Sequence, residues 1–286
     1  MKVVVTGTTG YIGGHIVELL LANGHEVAAV VRKYSMELPA SVKQFVDAGD
    51  DDVLLQEFTD FDAEIVIHCA AAQVLKYSIE NSAELVDTNI GFGARMLAIS
   101  HDAGVRGFIA AGTFATHADG TPDYQPQNLY AATKQAFSSI AAHYQRNSSM
   151  KVVTLELSDT YGPHDPRPKF LNLVREAARS GKTLEASPGL QTIHPIHVDD
   201  VAQAFMHCAQ LILQDAHLDY VYSVHGPAGV TLQELVKLYE AATDCKVSVA
   251  WGALEYRPFE IMQPYTGETL HDWSAKISLS EGLKNL

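Results

Sequence analysis

Tyr130 and Lys134 stand four residues apart in the run Tyr130-Ala-Ala-Thr-Lys134. On a helix this spacing puts both side chains on one face, where the ammonium can lower the phenol pKa and make the tyrosine a usable acid or base near neutral pH. Upstream, Ala110-Ala-Gly-Thr113-Phe-Ala-Thr116-His supplies threonine hydroxyls at the end of a strand-like run. A second group of residues opens the chain, Thr6-Gly7-Thr8-Thr9-Gly10-Tyr11-Ile12-Gly13. Glycines spaced in this way let the backbone turn tightly and approach a pyrophosphate, while the free N–H groups of the following helix favour an anion. The bland alternative is a structural glycine turn, but its place between a first strand and a first helix points to a dinucleotide.

The second strand-like run bears on which dinucleotide. NAD-specific sites place a carboxylate there to accept hydrogen bonds from the adenosine ribose, and this chain has Val30-Val31-Arg32-Lys33. Two cations suit a 2′-phosphate, so NADP is expected ahead of NAD, with a solvated strand end as the alternative reading of Arg32 and Lys33.

These residues need a scaffold. The chain has 286 residues, of which 47% are hydrophobic, enough for a sizeable core in one large or two closely joined domains. Its 34 Asp+Glu against 20 Lys+Arg give a net charge of −14, which argues against a nucleic-acid backbone as partner. Cys69, Cys208 and Cys245 form no C-x-x-C pair, so neither a disulfide framework nor a zinc ribbon is expected. Met1-Lys2 leads straight into Val3-Val4-Val5, and no run of about eighteen apolar residues follows; a cytoplasmic protein with no signal peptide and no membrane span is expected.

Short β-branched runs alternate with amphipathic helices through the first half, the pattern of a parallel sheet with crossover helices. Strands are expected at 2–6, 26–31, 42–46, 65–69, 107–111 and 151–157, and helices at 11–23, 83–101 and 129–145, with 116–128 as a surface loop. The run Tyr161-Gly-Pro-His-Asp-Pro-Arg-Pro breaks the rhythm and marks a boundary. Beyond it helices are expected near 171–179, at 201–214 with Asp199 or Asp200 as cap, and at 232–243, with a strand at 220–224. The last helix opens on the capping box Thr231-Leu-Gln-Glu234. The expected class is α/β, a Rossmann-type doubly wound parallel sheet over 1–160, followed by a smaller substrate-binding region over 161–286 from which a segment around 196–225 returns to the sheet.

Taken in order, these motifs make the chain resemble the extended short-chain dehydrogenase/reductase superfamily. The resemblance rests on Thr6 to Gly13, Gly49-Asp50, His68-Cys-Ala-Ala71, Asn89-Ile-Gly91, Tyr130/Lys134, Tyr161-Gly-Pro163, His197-Val-Asp-Asp200, Tyr256-Arg-Pro258 and Ser278 to Leu283, and so covers nearly the whole chain. It implies a dinucleotide held by Gly7, Thr9, Gly10, Tyr11, Ile12, Gly13, Arg32, Lys33, Asp50, Ala70, Ala71, Ala72, Asn89, Tyr130, Lys134 and Thr160. Thr113 matches the family's catalytic hydroxyl best, with Thr116 as the fallback. Tyr130 would protonate a carbonyl oxygen that Thr113 holds, and Lys134 would bind the nicotinamide ribose. A homodimer through the Asn89 and Tyr130 helices is implied as well.

Departures from the family narrow the reaction. The 4,6-dehydratases carry an Asp-Glu pair after the catalytic threonine, where this chain has Phe114 and Ala115; the acidic strand end of NAD-retaining 4-epimerases is replaced by Arg32 and Lys33. A simple ketone reductase remains, with a 4-epimerase holding NAD and a non-catalytic NADP-binding protein as alternatives. The stretch Leu157 to Lys169 with Ala186 to Gln191 is most similar to the nucleotide-linked 4-keto-6-deoxyhexose reductases of the CDP-abequose and CDP-paratose synthase type. The implied substrate is a nucleotide-diphosphate sugar, its diphosphate gripped by Arg257 with Arg167 and Lys169 as helpers. Ile193-His194 stands where many members have Arg-Asp, so the base is not assigned. His194-Pro-Ile-His197 lacks ligand spacing to a further donor and no metal site is expected; His68 reads as a packed core residue.

Overall fold

The computed structural model describes residues 1–73 and 78–286, with the exception of the Glu80 side chain. Strands β1 (Lys2–Thr6), β2 (Glu26–Val31), β3 (Lys43–Val46), β4 (Ile65–His68), β5 (Gly107–Thr113), β6 (Lys151–Leu157) and the strand Val221–Val224 build one sheet. Its order is Val221–Val224, β6, β5, β4, β1, β2, β3, and every neighbouring pair is parallel. Parallel strands need crossovers, so both faces are covered and the strands read as unbroken apolar runs.

On one face α1 (Tyr11–Ala22) brings Ile16, Val17 and Leu20 onto Val3 and Val5. On the other, α2 (Asp51–Phe61) contributes Leu54, Phe58 and Phe61 against Val4 and Phe45. Helix α2 is absent from the expected elements, because its start in Gly49-Asp-Asp-Asp reads as a polar loop; Asp50 caps it, its carboxylate accepting the Asp52 and Val53 N–H groups.

The long helix expected at 83–101 is three pieces, α3 (Ile79–Val86), a wide π turn over Asp87–Phe92, and α4 (Gly93–Asp102). The extra residue per turn carries Asn89 into the interior, where its amide is fully bonded. Helix α5 (Leu129–Asn147) is capped by Asn128, whose Oδ1 accepts the Ala131 N–H.

After β6 the chain leaves the sheet to form α6 (Phe170–Ser180) and returns with α7 (Val198–Leu213) and the strand Val221–Val224, which pairs with β6. Helices α8 (Leu232–Thr243) and α9 (Leu279–Lys284) then share a separate small core with α6, built on Leu171, Val174, Leu235, Tyr239 and Leu283. The expected caps of α7 are corrected: the helix starts three residues earlier, and the acceptor is His197 Nδ1, which takes the Asp199 N–H. Asp200 is buried and accepts the backbone N–H groups of Lys276 and Ile277 at 3.0 and 2.9 Å, fastening the C-terminal segment to α7.

The first turn tolerates no side chain at two points. Gly7 lies at φ +74°, and a Cβ there would sit 2.6 Å from the Ala70 nitrogen; a Cβ on Gly13 would sit 2.2 Å from the Gly7 carbonyl oxygen. At Gly14, one residue on, the nearest atom is an ordinary 3.6 Å away. Gly13→Ala is therefore expected to lower unfolding free energy by roughly 1–3 kcal/mol, whereas Gly14→Ala, a helix-interior glycine with space, should raise it by about 0.5–1 kcal/mol. Urea denaturation of the two variants, without ligand, checks the opposite signs.

Candidate active site

The sheet order reverses between β1 and β4, and the carboxyl ends of these strands open the crevice where α/β sheets bind ligands. The turn after β1 closes through Gly10 N–H to Gly7 O at 3.0 Å and hands over to α1, whose first turn carries neither an acidic residue nor a side-chain cap. Helices α2, α7 and α8 all have acidic first turns. The start of α1 is thus left for an anion. Thr8 Oγ1 and the Tyr11 hydroxyl are buried without a hydrogen-bond partner among the described residues, while Thr9 and Gly10 are exposed along the same turn and Ile12 is half-buried. Backbone and side-chain donors here fit a dinucleotide diphosphate.

Facing this turn, Ala70 N donates to Thr6 Oγ1 at 3.2 Å, and Ala70 to Ala72 continue from β4 along the crevice, Ala71 exposed. Asn89 holds their far end: Oδ1 accepts the Ala72 N–H at 2.7 Å, and Nδ2 donates to Ala72 O at 3.0 Å and to Thr133 Oγ1 at 2.9 Å. Thr133, missed in the sequence, thereby ties this loop to α5. Arg32 and Lys33 are exposed at the end of β2 and make no hydrogen bond or ion pair among the described residues. Asp50 is exposed at the start of α2 with its carboxylate on two backbone N–H groups.

Thr113 is the last residue of β5, and Tyr130 lies in the first turn of α5. Ala115, Ala131 and Ile261 pack together with Phe114 against them, which sets the turn after Thr113 onto the start of α5. The Thr113 hydroxyl oxygen accepts the Ala115 N–H at 3.3 Å, and its proton has no acceptor among the described residues. Thr116 is buried and commits its hydroxyl to the Thr113 carbonyl at 2.9 Å. Lys134 is buried beside His68 and Cys69; burial lowers its pKa to about 8, against a smaller opposing effect of Cys69. The tuning expected of Lys134 on Tyr130 is corrected. Burial pushes the phenol up to about 12, and the cation that draws it back is Arg167, so Tyr130 is held as the protonated acid. His68 donates or accepts at Thr6 Oγ1 over 2.9 Å and burial brings its pKa down to about 3, a neutral core imidazole packed among Phe92, Phe108 and Phe137.

Arg167 does not reach freely into solvent. Its Nε and Nη2 bind the two oxygens of buried Asp165 at 2.7 and 2.8 Å, Nη2 also donates to Thr160 O at 3.0 Å, and the guanidinium lies 4.8 Å over the Tyr11 ring. Three of its five N–H donors are occupied, which leaves the Nη1 pair. Asp165 went unread in the sequence, although a carboxylate two residues before an arginine is the signal. Lys169 is half-buried at the N-cap of α6. Arg257 is exposed, four residues before Ile261, whose packing on Ala115 and Ala131 brings that segment to the Thr113 turn.

Residues 3–223 match the family model described as NAD dependent epimerase/dehydratase family. The chain belongs to this family. Among relatives in the family, a CDP-abequose synthase of Salmonella typhimurium is 29% identical over 91% of this chain and 87% of its own length. A human dTDP-D-glucose 4,6-dehydratase is 24% identical over 99% of this chain and 88% of its own length. Of solved structures, the Thermus thermophilus UDP-glucose 4-epimerase complex with NAD superposes with a TM-score of 0.81 at 27% identity, covering 100% of this chain and 97% of the other. The Rossmann class expected from the sequence is the observed one, and no helix of the described residues is long and apolar enough to cross a membrane.

The buried Lys134 gives a test by pH. Its folded pKa lies below the unfolded value of 10.5, so between about 8 and 10.5 the unfolded chain holds a proton that the folded chain has released, and this group makes stability rise with pH across that window. Below about 8 the full cost of the buried charge is present. Lys134→Met should therefore be more stable than the parent at pH 7, by on the order of 2 kcal/mol, with the gap closing by pH 10.5. Urea denaturation of both proteins across this pH range, without cofactor, measures it.

Proposed function

We propose that this family member is an NADPH-dependent reductase of a nucleotide-diphosphate-linked 4-keto-deoxyhexose, working in deoxysugar synthesis for surface polysaccharide. The observation that carries the reading is the surroundings of Thr113: the two positions after it are the apolar Phe114 and Ala115, packed on Ala131 and Ile261 at the start of the helix that carries Tyr130, whose phenol burial keeps protonated. A dehydratase would need a second acid and base at that point. The similarity to CDP-abequose synthases supports the substrate class.

A nicotinamide dinucleotide held in the crevice by the glycine turn would supply the hydride for the reduction. The chain's own residues do the rest. Thr113 donates its free hydroxyl proton as a hydrogen bond to the carbonyl oxygen, where negative charge develops. Tyr130 transfers its phenolic proton to that oxygen, so that the ketone becomes an alcohol, and takes a proton back from solvent. Lys134, next in the same helix face, would hold the ribose hydroxyls and offset the transient phenolate. Arg257 and Lys169, with the Nη1 pair of Arg167, supply donors for the substrate diphosphate.

NADPH consumption against a panel of CDP-, dTDP-, GDP- and UDP-linked 4-keto-6-deoxysugars tests the reading. Turnover with at least one is expected, and Tyr130→Phe should lose about 10²–10⁴-fold in kcat with NADPH affinity within threefold. NAD released from the purified protein on denaturation, with no turnover on any ketone, would instead mark a 4-epimerase. Because Arg32 is exposed at the β2 end and has no partner among the described residues, Arg32→Ala is expected to weaken NADPH by about tenfold and to leave NADH affinity unchanged, as titrated by nicotinamide fluorescence.

A further inference from the structure

The chain between Thr113 and Tyr130 is a long connection, and its course sets how the turn after Thr113 sits on the start of α5. It runs through the short turn Phe114–Thr116, loops out, comes back with Gln125 N–H on Thr116 O at 2.9 Å and Gln127 N–H on Ala115 O at 3.0 Å, and enters α5 through its Asn128 cap. At His117 this connection is tied to the sheet. The ring is held at both nitrogens: Nδ1 lies 3.0 Å from the Pro122 carbonyl oxygen and Nε2 lies 2.7 Å from Glu156 Oε2 on β6. The two side chains are 5% and 6% exposed, so water does not substitute for either bond.

Both partners of the ring are acceptors. A neutral imidazole has one N–H and can satisfy one of them, leaving a lone pair against the other. Holding both requires one further proton in the pair, which resides on the ring as the more basic group and makes the pair an imidazolium and a carboxylate. Glu156 Oε1 in turn lies 3.4 Å from Thr116 Oγ1, the hydroxyl that binds the Thr113 carbonyl. Glu156, the one charged residue in the buried stretch Val152 to Leu157 of β6, thus lies behind the turn that follows Thr113.

We propose that His117 and Glu156 are positioning residues that act through one shared proton: with it the pair fastens the 114–128 connection to β6 and keeps Thr113 opposed to Tyr130, and without it the fastening fails. The carboxylate would then face the bare Nε2 lone pair in a buried place, and the turn after Thr113 has to give. The groups around the ring set the direction. Tyr124 stacks on it at 4.9 Å and Tyr265 packs at 4.8 Å. Tyr124 and Tyr220, near Glu156, are phenols pushed above their ordinary value by burial and then by the carboxylate, so they stay neutral. Burial alone would lower the pKa of His117, but the hydrogen bond and charge of Glu156 and the Pro122 bond more than offset it, so the ring is held above the ordinary histidine value. A folded pKa above the unfolded one means that the stabilisation is complete below the unfolded value and is lost as pH rises through the folded value.

The reading of turnover rests on Thr113 and Tyr130 being the reacting pair, so the test has an arm without substrate. In the isotope-labelled whole protein, the His117 ring nitrogens should both carry protons at neutral pH and lose one in a single transition above the ordinary histidine value, and the amide signals of Ala115, Thr116 and Gln125 should shift with it. Glu156→Gln is the decisive variant. Its amide donates to Nε2 while Nδ1–H keeps Pro122, so a neutral ring holds both partners and the loop signals should no longer follow pH. In turnover, kcat of the parent relative to Glu156→Gln should fall about tenfold as pH crosses the His117 transition, with KM within twofold; the titration of Lys134 is common to both proteins and cancels in the ratio. A His117 ring that titrates as an exposed histidine, or loop signals with the same pH dependence in both proteins, overturns the proposal. If no ketone is turned over, the proposed reaction fails and the loop signals alone decide.

Discussion

The backbones of Gly7 and Ala70 approach so closely that a single added carbon at Gly7 would lie 2.6 Å from the Ala70 nitrogen. This contact joins the ends of β1 and β4, the two strands between which the sheet changes direction, and the crevice exists because both turns leave it without a side chain in the way. The cofactor turn leans on one side of the contact through Gly13, and the alanine loop leans on the other. That loop is held in turn by Asn89, and Asn89 by the π turn and Thr133 on α5. A chain of contacts, first between backbones and then through the Asn89 amide and the Thr133 hydroxyl, therefore leads from the first glycine to the helix that carries Tyr130 and Lys134.

Charge along this frame is placed more selectively than the net value of −14 suggests. Of the cations placed at the site, Lys134 is sunk beside His68, Arg167 is neutralised by Asp165, and Arg32, Lys33 and Arg257 stay exposed. Lys134 and Arg167 shape the pocket, and of the two it is Arg167 that draws the Tyr130 phenol back down; the exposed ones stand where a phosphate can meet them. An acidic surface and a polyanionic ligand are compatible because the crevice, and not the whole molecule, sets the local field.

Much of the frame is legible in the sequence, since parallel strands and amphipathic helices leave apolar periodicities that need no tertiary information. The glycine turn, the Tyr130–Lys134 helix and the capping box at Thr231 are of this kind. What escaped was set by contacts distant in the chain. The π turn at Asp87–Phe92 follows from where Ala72 and Thr133 are, the cap of α7 is a histidine because Asp200 is drawn away to Lys276 and Ile277, and the Arg167 guanidinium lies over the ring of Tyr11 from the first helix. Glu156 was visible as a lone acid in an apolar strand, but its partner His117 lies 39 residues away.

The strand Val221–Val224 closes the sheet against β6 only after the chain has made α6 and α7. A growing chain therefore reaches the ribosomal exit with β6 as a bare edge, its seven residues from Lys151 to Leu157 unpaired on one side while more than sixty further residues are still to be made. Such an edge is a template for other chains, and the late partner must arrive across a long loop. Until that partner is made, the outer side of β6 offers unpaired N–H and C=O groups, and the order of elements in the chain fixes how long that side stays open.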